Sequence, residues 1–311
     1  MSAGLPELSV ILCTHNPRRD VLKLVLESLS KQTLGRERWE FIIVDNHSDP
    51  PLDGARINRG FDLPMRIVCE PELGLTPARM RGVSEARADV MVMVDDDNIL
   101  DPDYLEAALE IARQHPKLGA FGGVTRPVLE GRVRPWQEKM LPYLGVRDYG
   151  QDEITSDADE WGKWEPIGAG MVVRREVVQK FVEFVHSIPG ASDLARNGKA
   201  LLSGEDSLMA RSAYRLGYSC SYQPRLKLGH FIKRGRLRFG YLARLLYGHG
   251  RSYVILNNVL GKPTQCLSRT EVLSRLPFRC LKDGFPGAII WAWDIGYMVE
   301  SRAVHRNGVH T

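Results

Sequence analysis

Apolar positions alternate between two periods along the first half of the chain. Largely apolar runs at Leu8 to Leu12, Phe41 to Val44, Met65 to Cys69 and Val90 to Val94 read as short strands, the uninterrupted Val90 run as one buried on both faces. Between them Val21, Leu22, Leu24, Val25 and Leu29 recur at helical spacing, and a second helix opens at Pro77 behind Thr76 as N-cap. Tyr104, Leu105, Ala108, Leu109 and Ile111 give a third helical face, capped by Asp101-Pro102. Strands alternating with helices over short connections predict βαβ units, a mostly parallel central sheet and an α/β fold. Ala120 to Val124 adds a strand, and Ile167 to Val173 another, with small residues where something approaches closely. A helix from Glu205 to Leu216 stops at Gly217.

Two stretches break the pattern. From Glu130 to Glu165 the periodicity fails, and Trp, Pro, Gly and acidic residues crowd together, including Asp148, Asp152, Glu153, Asp157, Asp159 and Glu160. A connection this long is either a functional loop or lid or a solvated acidic loop. The carboxyl-terminal part is basic: from Arg225 onward 15 Lys/Arg face 4 Asp/Glu, whereas the preceding residues carry 27 against 34. An acidic body with a basic tail fits a polyanionic partner for the tail, phosphate groups or an anionic membrane surface, or a merely solvated basic face. Phe239, Leu242, Leu245 and Leu246 line one helical face among Arg236, Arg238, Arg244 and Arg251. Gly284 to Val299 holds one charged residue, Asp294, with Trp291, Trp293 and Tyr297; it is an interface-lying segment or a buried core helix.

Composition narrows the class. With 311 residues, 43% hydrophobic and 26% charged, the chain buries a sizeable core, and no apolar stretch is long enough to span a bilayer. Five scattered cysteines without CxxC spacing argue against a disulfide framework or a structural zinc site and fit a reducing compartment. No signal-peptide pattern opens the sequence, so a cytoplasmic location is expected.

The chemistry gathers at strand ends. Asp95-Asp96-Asp97 closes the Val90 strand, where ligands of open α/β sheets bind. At ~5 Å and an effective dielectric near 20, each carboxylate pair would cost roughly 3 kcal/mol. A divalent cation, Mg²⁺ or Mn²⁺, removes that cost through the oxygen ligands it prefers. The ends at Thr14 to Asn16 and Asp45 to Asp49 fall on the same sheet edge. The first loop has no glycine, against a dinucleotide or P-loop reading. Arg79 lies early in its helix, where the dipole disfavours a cation, so an anion nearby or plain solvent exposure accounts for it. Ser203 and Asp206 have capping-box-like spacing.

In sequence order these motifs resemble glycosyltransferase family 2, inverting nucleotide-sugar-dependent enzymes of GT-A fold. The series comprises Thr14-His15-Asn16, Val44-Asp45-Asn46-His47-Ser48, Gly74-Leu75-Thr76-Pro77-Ala78-Arg79, Asp95-Asp96-Asp97, Gly168-Ala169-Gly170 through Arg174-Arg175, and Gly204-Glu205-Asp206. The resemblance covers residues 8 to 230, so a GT-A domain is expected over 1–230, with a nucleotide-binding half (1–125) and an acceptor half (126–230). A basic helical extension is expected over 231–311. It implies a nucleotide-diphosphate-sugar donor and a glycan or lipid-linked acceptor, and no nucleic acid. Thr14, His15, Asn16 and Asp45 would line the nucleotide pocket, with Arg79 near the base or diphosphate and Asp95 and Asp96 toward ribose and sugar. Asp97, with His230 as a further ligand, would hold the metal; Gly168, Gly170 and Glu205 would lie on the acceptor side, and Asp206 would be the general base. The Gln-x-x-Arg-Trp element of processive members is absent after Asp206, so a single transfer is expected. Asn46 stands where many relatives carry a second Asp. A sugar nucleotidyltransferase, which wants a glycine-rich first loop, and a non-catalytic nucleotide-binding relative are the rivals. Contact of the tail with the inner face of the plasma membrane is the remaining expectation.

Overall fold

The computed structural model describes residues 4–188, 190, 191, 194 and 201–306. In chain order the elements are β1 (Leu8–Thr14), α1 (Arg19–Ser30), β2 (Trp39–Asp45), α2 (Gly54–Ile57), β3 (Met65–Cys69), α3 (Leu75–Glu85), β4 (Val90–Asp95), β5 (Asn98–Leu100), α4 (Tyr104–Gln114), β6 (Leu118–Leu129), α5 (Pro135–Glu138), β7 (Ile154–Ser156), β8 (Val172–Arg174), α6 (Arg175–Ser187), α7 (Glu205–Arg211), β9 (Ser219–Ile232), α8 (Phe239–Val259), α9 (Arg269–Asp283) and α10 (Phe285–Arg306). They form two compact units: Met1–Val128 with Gly145–Glu183 and Asp206–Phe231, and Leu129–Leu144 with Phe184–Glu205 and Ile232–Thr311.

The first unit is built on a sheet of order β3-β2-β1-β4-β8-β6-β9-β5, with β7 on β9. Strands β3, β2, β1 and β4 run parallel, as the alternating pattern requires. From β8 onward the pairing turns antiparallel, so the sheet is mixed. The reason lies at Asp95: the chain does not enter a crossover helix there but turns through Asp96 and Asp97 straight into β5, antiparallel to β9.

Both faces of β2, β1 and β4 are buried, while β3 at the sheet edge is half-buried. Val10, Leu12, Phe41, Val92 and Val94 pack beneath Leu22, Val25 and Leu29 of α1 and Leu105, Ala108 and Leu109 of α4. On the other face α3 lies so close that a Cβ on Gly82 would collide with Ile11 and press on Val44. Each fully buried Val, Leu or Ile contributes about 1.5–3 kcal/mol, so this layering fixes the edge where the strands end.

Four local expectations are corrected. Helix α3 starts at Leu75, not Pro77; Gly74 is its N-cap at φ 146°, a conformation side chains resist, and Pro77 sits in the first turn, where its missing N–H has no partner to lose. Helix α4 begins at Tyr104 with Asp103 as N-cap, because Asp101 is drawn to Arg126. The stretch from Ile167 is strand only over Val172–Arg174; Gly168 to Gly170 form a turn, with Gly170 at φ 73°. The helix begun at Glu205 ends at Arg211, and a 3₁₀ turn over Tyr214–Leu216 carries the chain to Gly217, left-handed at φ 74°.

In the second unit α8, α9 and α10 pack together. A Cβ on Gly250 of α8 would strike the Trp293 carbonyl, and one on Gly296 of α10 the Tyr247 carbonyl, so bare backbone lets these helices meet. Asp294 is fully buried and accepts from Arg275 Nη1 at 2.9 Å and Arg279 Nε at 3.1 Å. Trp291 donates to the Val272 carbonyl at 2.7 Å, and Trp293 stacks on Tyr297. Residues 285–299 thus lie in a helix packed on α8 and α9, with Trp291 and Trp293 half-buried. Among the described residues no helix is long and apolar enough to cross a membrane.

Candidate active site

The parallel register brings the polar strand ends together: Thr14 pairs with Asp45 and Cys13 with Asp95. Thr14 donates its hydroxyl to Asp96 Oδ2 at 2.5 Å. His15 Nδ1 lies 2.8 Å from the Asn46 carbonyl. Asn16, left-handed at φ 49°, donates its N–H to Ser48 Oγ at 2.9 Å, and its side-chain oxygen accepts from the Asp49 N–H. Asp45 is buried and accepts backbone N–H groups of Ser48 and Leu52 at 3.1 and 2.8 Å. It braces the loop and, with four lone-pair sites, keeps capacity to accept more.

Asn46 has a structural task that the motif comparison missed. Its amide donates to the carbonyls of Glu70 and Glu72 at 3.1 and 2.6 Å and accepts from the Gly74 N–H at 2.9 Å. A carboxylate there could accept but not donate, so the Asn joins the end of β2 to the start of α3 in a way Asp cannot.

The three aspartates do not converge on one point. Asp95 Oδ1 lies 3.8 Å from Arg79 Nη2, Asp96 is held by Thr14, and Asp97 Oδ2 lies 3.5 Å from His230 Nε2. Each is drawn to a different neighbour across the turn. Arg79 is buried at 5% exposure, well into α3 rather than in its first turn, and Asp95 is its anion.

Asp206, near the start of α7, accepts the Gly168 N–H at Oδ2 (3.0 Å) and the Ser207 N–H at Oδ1 (3.0 Å). A Cβ on Gly168 would stand 2.7 Å from Arg79 Nη2, so the glycine lets this backbone pass between the guanidinium and Asp206. Gly170 has no room for a side chain beside Leu228 and Tyr104, and its carbonyl accepts from the Tyr104 hydroxyl at 2.5 Å. Glu205 is buried at the head of α7. Thus Thr14, Asp95, Asp96, Arg79, Gly168 and Asp206 form one continuous set of contacts, and Asp97 with His230 closes the adjoining turn.

Behind Asp206 lies a network that the sequence reading did not find. Arg211 of α7 is fully buried, donates to Glu165 Oε2 at 2.8 Å and Asp159 Oδ1 at 3.2 Å, and lies 4.4 Å beneath the Trp161 ring. Arg147 donates to the Glu165 carbonyl at 2.6 Å and pairs by backbone with Thr125. Burial pushes the Glu165 carboxyl up to about 7, against the opposing pull of the Arg211 charge. The acidic segment is therefore pinned near α7. The available signal was a lone cation among Leu208, Met209, Ala210, Ser212 and Ala213.

Among the described residues no group of three or more His, Cys, Asp and Glu side chains is placed to hold a metal ion. The Asp97–His230 pair offers one carboxylate and one imidazole, so a cation there would have to draw its remaining ligands from elsewhere, such as substrate phosphates.

A crystal structure of Staphylococcus aureus TarS, residues 1–349, superposes with a TM-score of 0.53 at 16% identity, over 97% of this chain and 92% of that one. At that identity the likeness is one of fold, and it defines the class: an α/β protein of GT-A type followed by carboxyl-terminal helices. The sequence profile of glycosyl transferase family 2 matches residues 9–182, more than half of the chain. The chain belongs to glycosyl transferase family 2. Over 123 residues it is 28% identical to the glucosyl-dolichyl phosphate glucuronosyltransferase of Haloferax volcanii, 39% of each chain. Polypeptide N-acetylgalactosaminyltransferase 3 of Drosophila melanogaster is 29% identical over 121 residues, 38% of this chain and 18% of that one. The chain spans less than two fifths of the length of these relatives.

Proposed function

We propose that the protein transfers a single sugar from a nucleotide-diphosphate-sugar to a hydroxyl of a glycan or lipid-linked acceptor, with inversion, as a step in polysaccharide or glycolipid assembly. The observation that carries this reading is the contact of Asp206 with Gly168, whose backbone packs on the Arg79 guanidinium that reaches Asp95. A carboxylate and a buried cation are thereby fixed about one backbone apart.

In this reading the acceptor oxygen attacks the anomeric carbon while its proton passes to Asp206. The bond from that carbon to the diphosphate oxygen breaks, and the nucleoside diphosphate leaves with the electron pair. Two backbone N–H bonds hold the Asp206 carboxylate in place, as a general base must be held. Arg79 faces the developing negative charge, and Thr14, His15, Asn16 and Asp45 hold the nucleotide. Asp95 and Asp96 orient ribose and sugar, Gly168, Gly170 and Glu205 serve the acceptor side, and Asp97 and His230 hold a divalent cation. When bound, that cation offsets the charge of the leaving diphosphate. The name of the Haloferax volcanii relative includes a dolichyl phosphate, which favours a lipid-linked acceptor here.

The test is a thermal-shift screen of UDP, GDP, CDP and dTDP with and without Mn²⁺, followed by product analysis with the matching sugar nucleotides. Stabilisation by one nucleotide, and an inverted anomer that is lost in Asp206→Asn, are expected. A retained anomer, or full turnover by Asp206→Asn, would overturn the mechanism.

A further inference from the structure

Packing Trp291, Trp293 and Tyr297 into the second unit leaves a different surface of that unit apolar. Helix α9 uses Val272 and the Arg275 and Arg279 pairs with Asp294 on its inner face. Its outer face carries Leu273, Pro277, Phe278, Cys280 and Leu281. Leu281 is 87% exposed, Phe278 65% and Leu273 60%. At 100° per residue these positions share about half the helix circumference, so they form a stripe rather than scattered exposures. Immediately beyond the Gly284 break, half-exposed Phe285 contacts Trp136 edge-on at 5.2 Å and Phe239 at 5.4 Å. Leaving this much apolar side chain in water is uncommon on a chain that works alone.

The charge around the stripe selects its occupant. Residues 232–311 hold 13 Lys/Arg against 4 Asp/Glu. Of those four acids, Asp294 is taken by Arg275 and Arg279, Glu300 pairs with Arg251, Glu271 is spent on the Ser268 capping box, and Asp283 ends α9 as the one acid beside the stripe. Lys282 is exposed beside Leu281 and Arg238 beside Phe239, Arg269 is exposed at the head of α9, and Arg234 and Arg244 are exposed elsewhere in the same unit. Two copies of this face would bring like charges together. An anionic lipid surface complements both features: it receives Leu and Phe side chains below its headgroups and holds Lys and Arg at headgroup level.

We infer that the outer face of α9, with Phe285, Phe239 and Trp136 at its end, is a docking surface for an anionic membrane. The contact lies on α9 and not on the Trp-rich segment 284–299, whose aromatic side chains are engaged within the helical unit. It stands apart from the transferase reading, because binding is measured without donor or acceptor.

The test is co-sedimentation of the full chain with vesicles of phosphatidylcholine alone and of phosphatidylcholine with phosphatidylglycerol, at low and high salt. Binding to the anionic vesicles that weakens with salt is expected, and Phe278→Glu with Leu281→Glu should reduce it about tenfold or more. Lys282→Ala alone should weaken it about fivefold at low salt. Leu5→Glu, at an exposed apolar residue of the other unit, should leave it unchanged. Circular dichroism and the melting temperature establish that each variant is folded. Failure of the folded wild type to bind, or equal binding by the double variant, would overturn the inference. So would a concentration-dependent dimer, seen by sedimentation and abolished by the same double variant, which would assign the stripe to a second copy.

Discussion

The backbone N–H of Gly168 donates to Asp206 at 3.0 Å while its α-carbon faces the Arg79 guanidinium, leaving no space for a methyl group. Gly168→Ala must therefore displace either the arginine or the turn that holds the base. Because both sit within a few ångströms of the reacting atoms in the proposed mechanism, kcat should fall about 10–100-fold. The melting temperature should fall as well, since the displaced Arg79 is buried and paired with Asp95. Steady-state kinetics beside calorimetry make the comparison, and unchanged kcat would detach Gly168 from the chemistry.

Asp97 and His230 give a second test, with a readout that does not depend on turnover. Either Asp97→Asn or His230→Ala should raise the Mn²⁺ concentration needed for a nucleoside diphosphate to stabilise the protein, on the order of 10–100-fold. Titration of the melting temperature with Mn²⁺ at fixed nucleotide measures it. A shift in Asp97→Asn and none in His230→Ala would leave the histidine a structural neighbour.

Replacing Asn46 by Asp removes two donated hydrogen bonds and leaves the Glu70 and Glu72 carbonyls facing a carboxylate. A loss of about 1–3 kcal/mol in unfolding free energy is expected, read by urea denaturation. The closeness of Asp to the family pattern at this position would not rescue it, because the defect is a missing donor.

Glu165 predicts a pH dependence whose sign follows from its burial. Its carboxyl rises from 4.5 unfolded to about 7 folded, so between those values the folded chain binds more protons than the unfolded one. Stability from this group is present below about pH 4.5 and is lost as pH rises through about 7. The full effect is at most ~3 kcal/mol. Glu165→Gln should lower stability overall by breaking the contact with buried Arg211 and should flatten this slope. Melting temperatures of both proteins from pH 4.5 to 8 check it.

The parallel half of the sheet was legible because its signal is one-dimensional: β1 to β4 are runs of apolar residues, and β3 falls on Met65–Cys69 as read. The glycines at 168 and 170 misled for a physical reason. Small residues beside Val172 look like strand in a hydropathy pattern, yet they serve a turn that must pass between Arg79 and Asp206. Candidate residues at strand ends were legible because register alone aligns Thr14 with Asp45 and Cys13 with Asp95. The Glu165–Arg211 pair was not, since its partners lie 46 positions apart and meet only after the chain has folded back. Likewise α9 hid its outer stripe, because an apolar position reads the same whether it faces a core or the outside.

The pairing of β5 with β9 sets Asn98 opposite His230, and the Phe231 N–H reaches the Asp97 carbonyl at 2.8 Å. Slippage of either strand by one residue would turn the imidazole to the opposite side of the sheet. Spacing between this histidine and its aspartate is thus governed by ladder alignment, while the long excursion between β6 and β8 can lengthen or shorten without altering it. Across family members, length variation should concentrate in that excursion and be scarce between Asp97 and Leu100 and between Leu228 and Phe231.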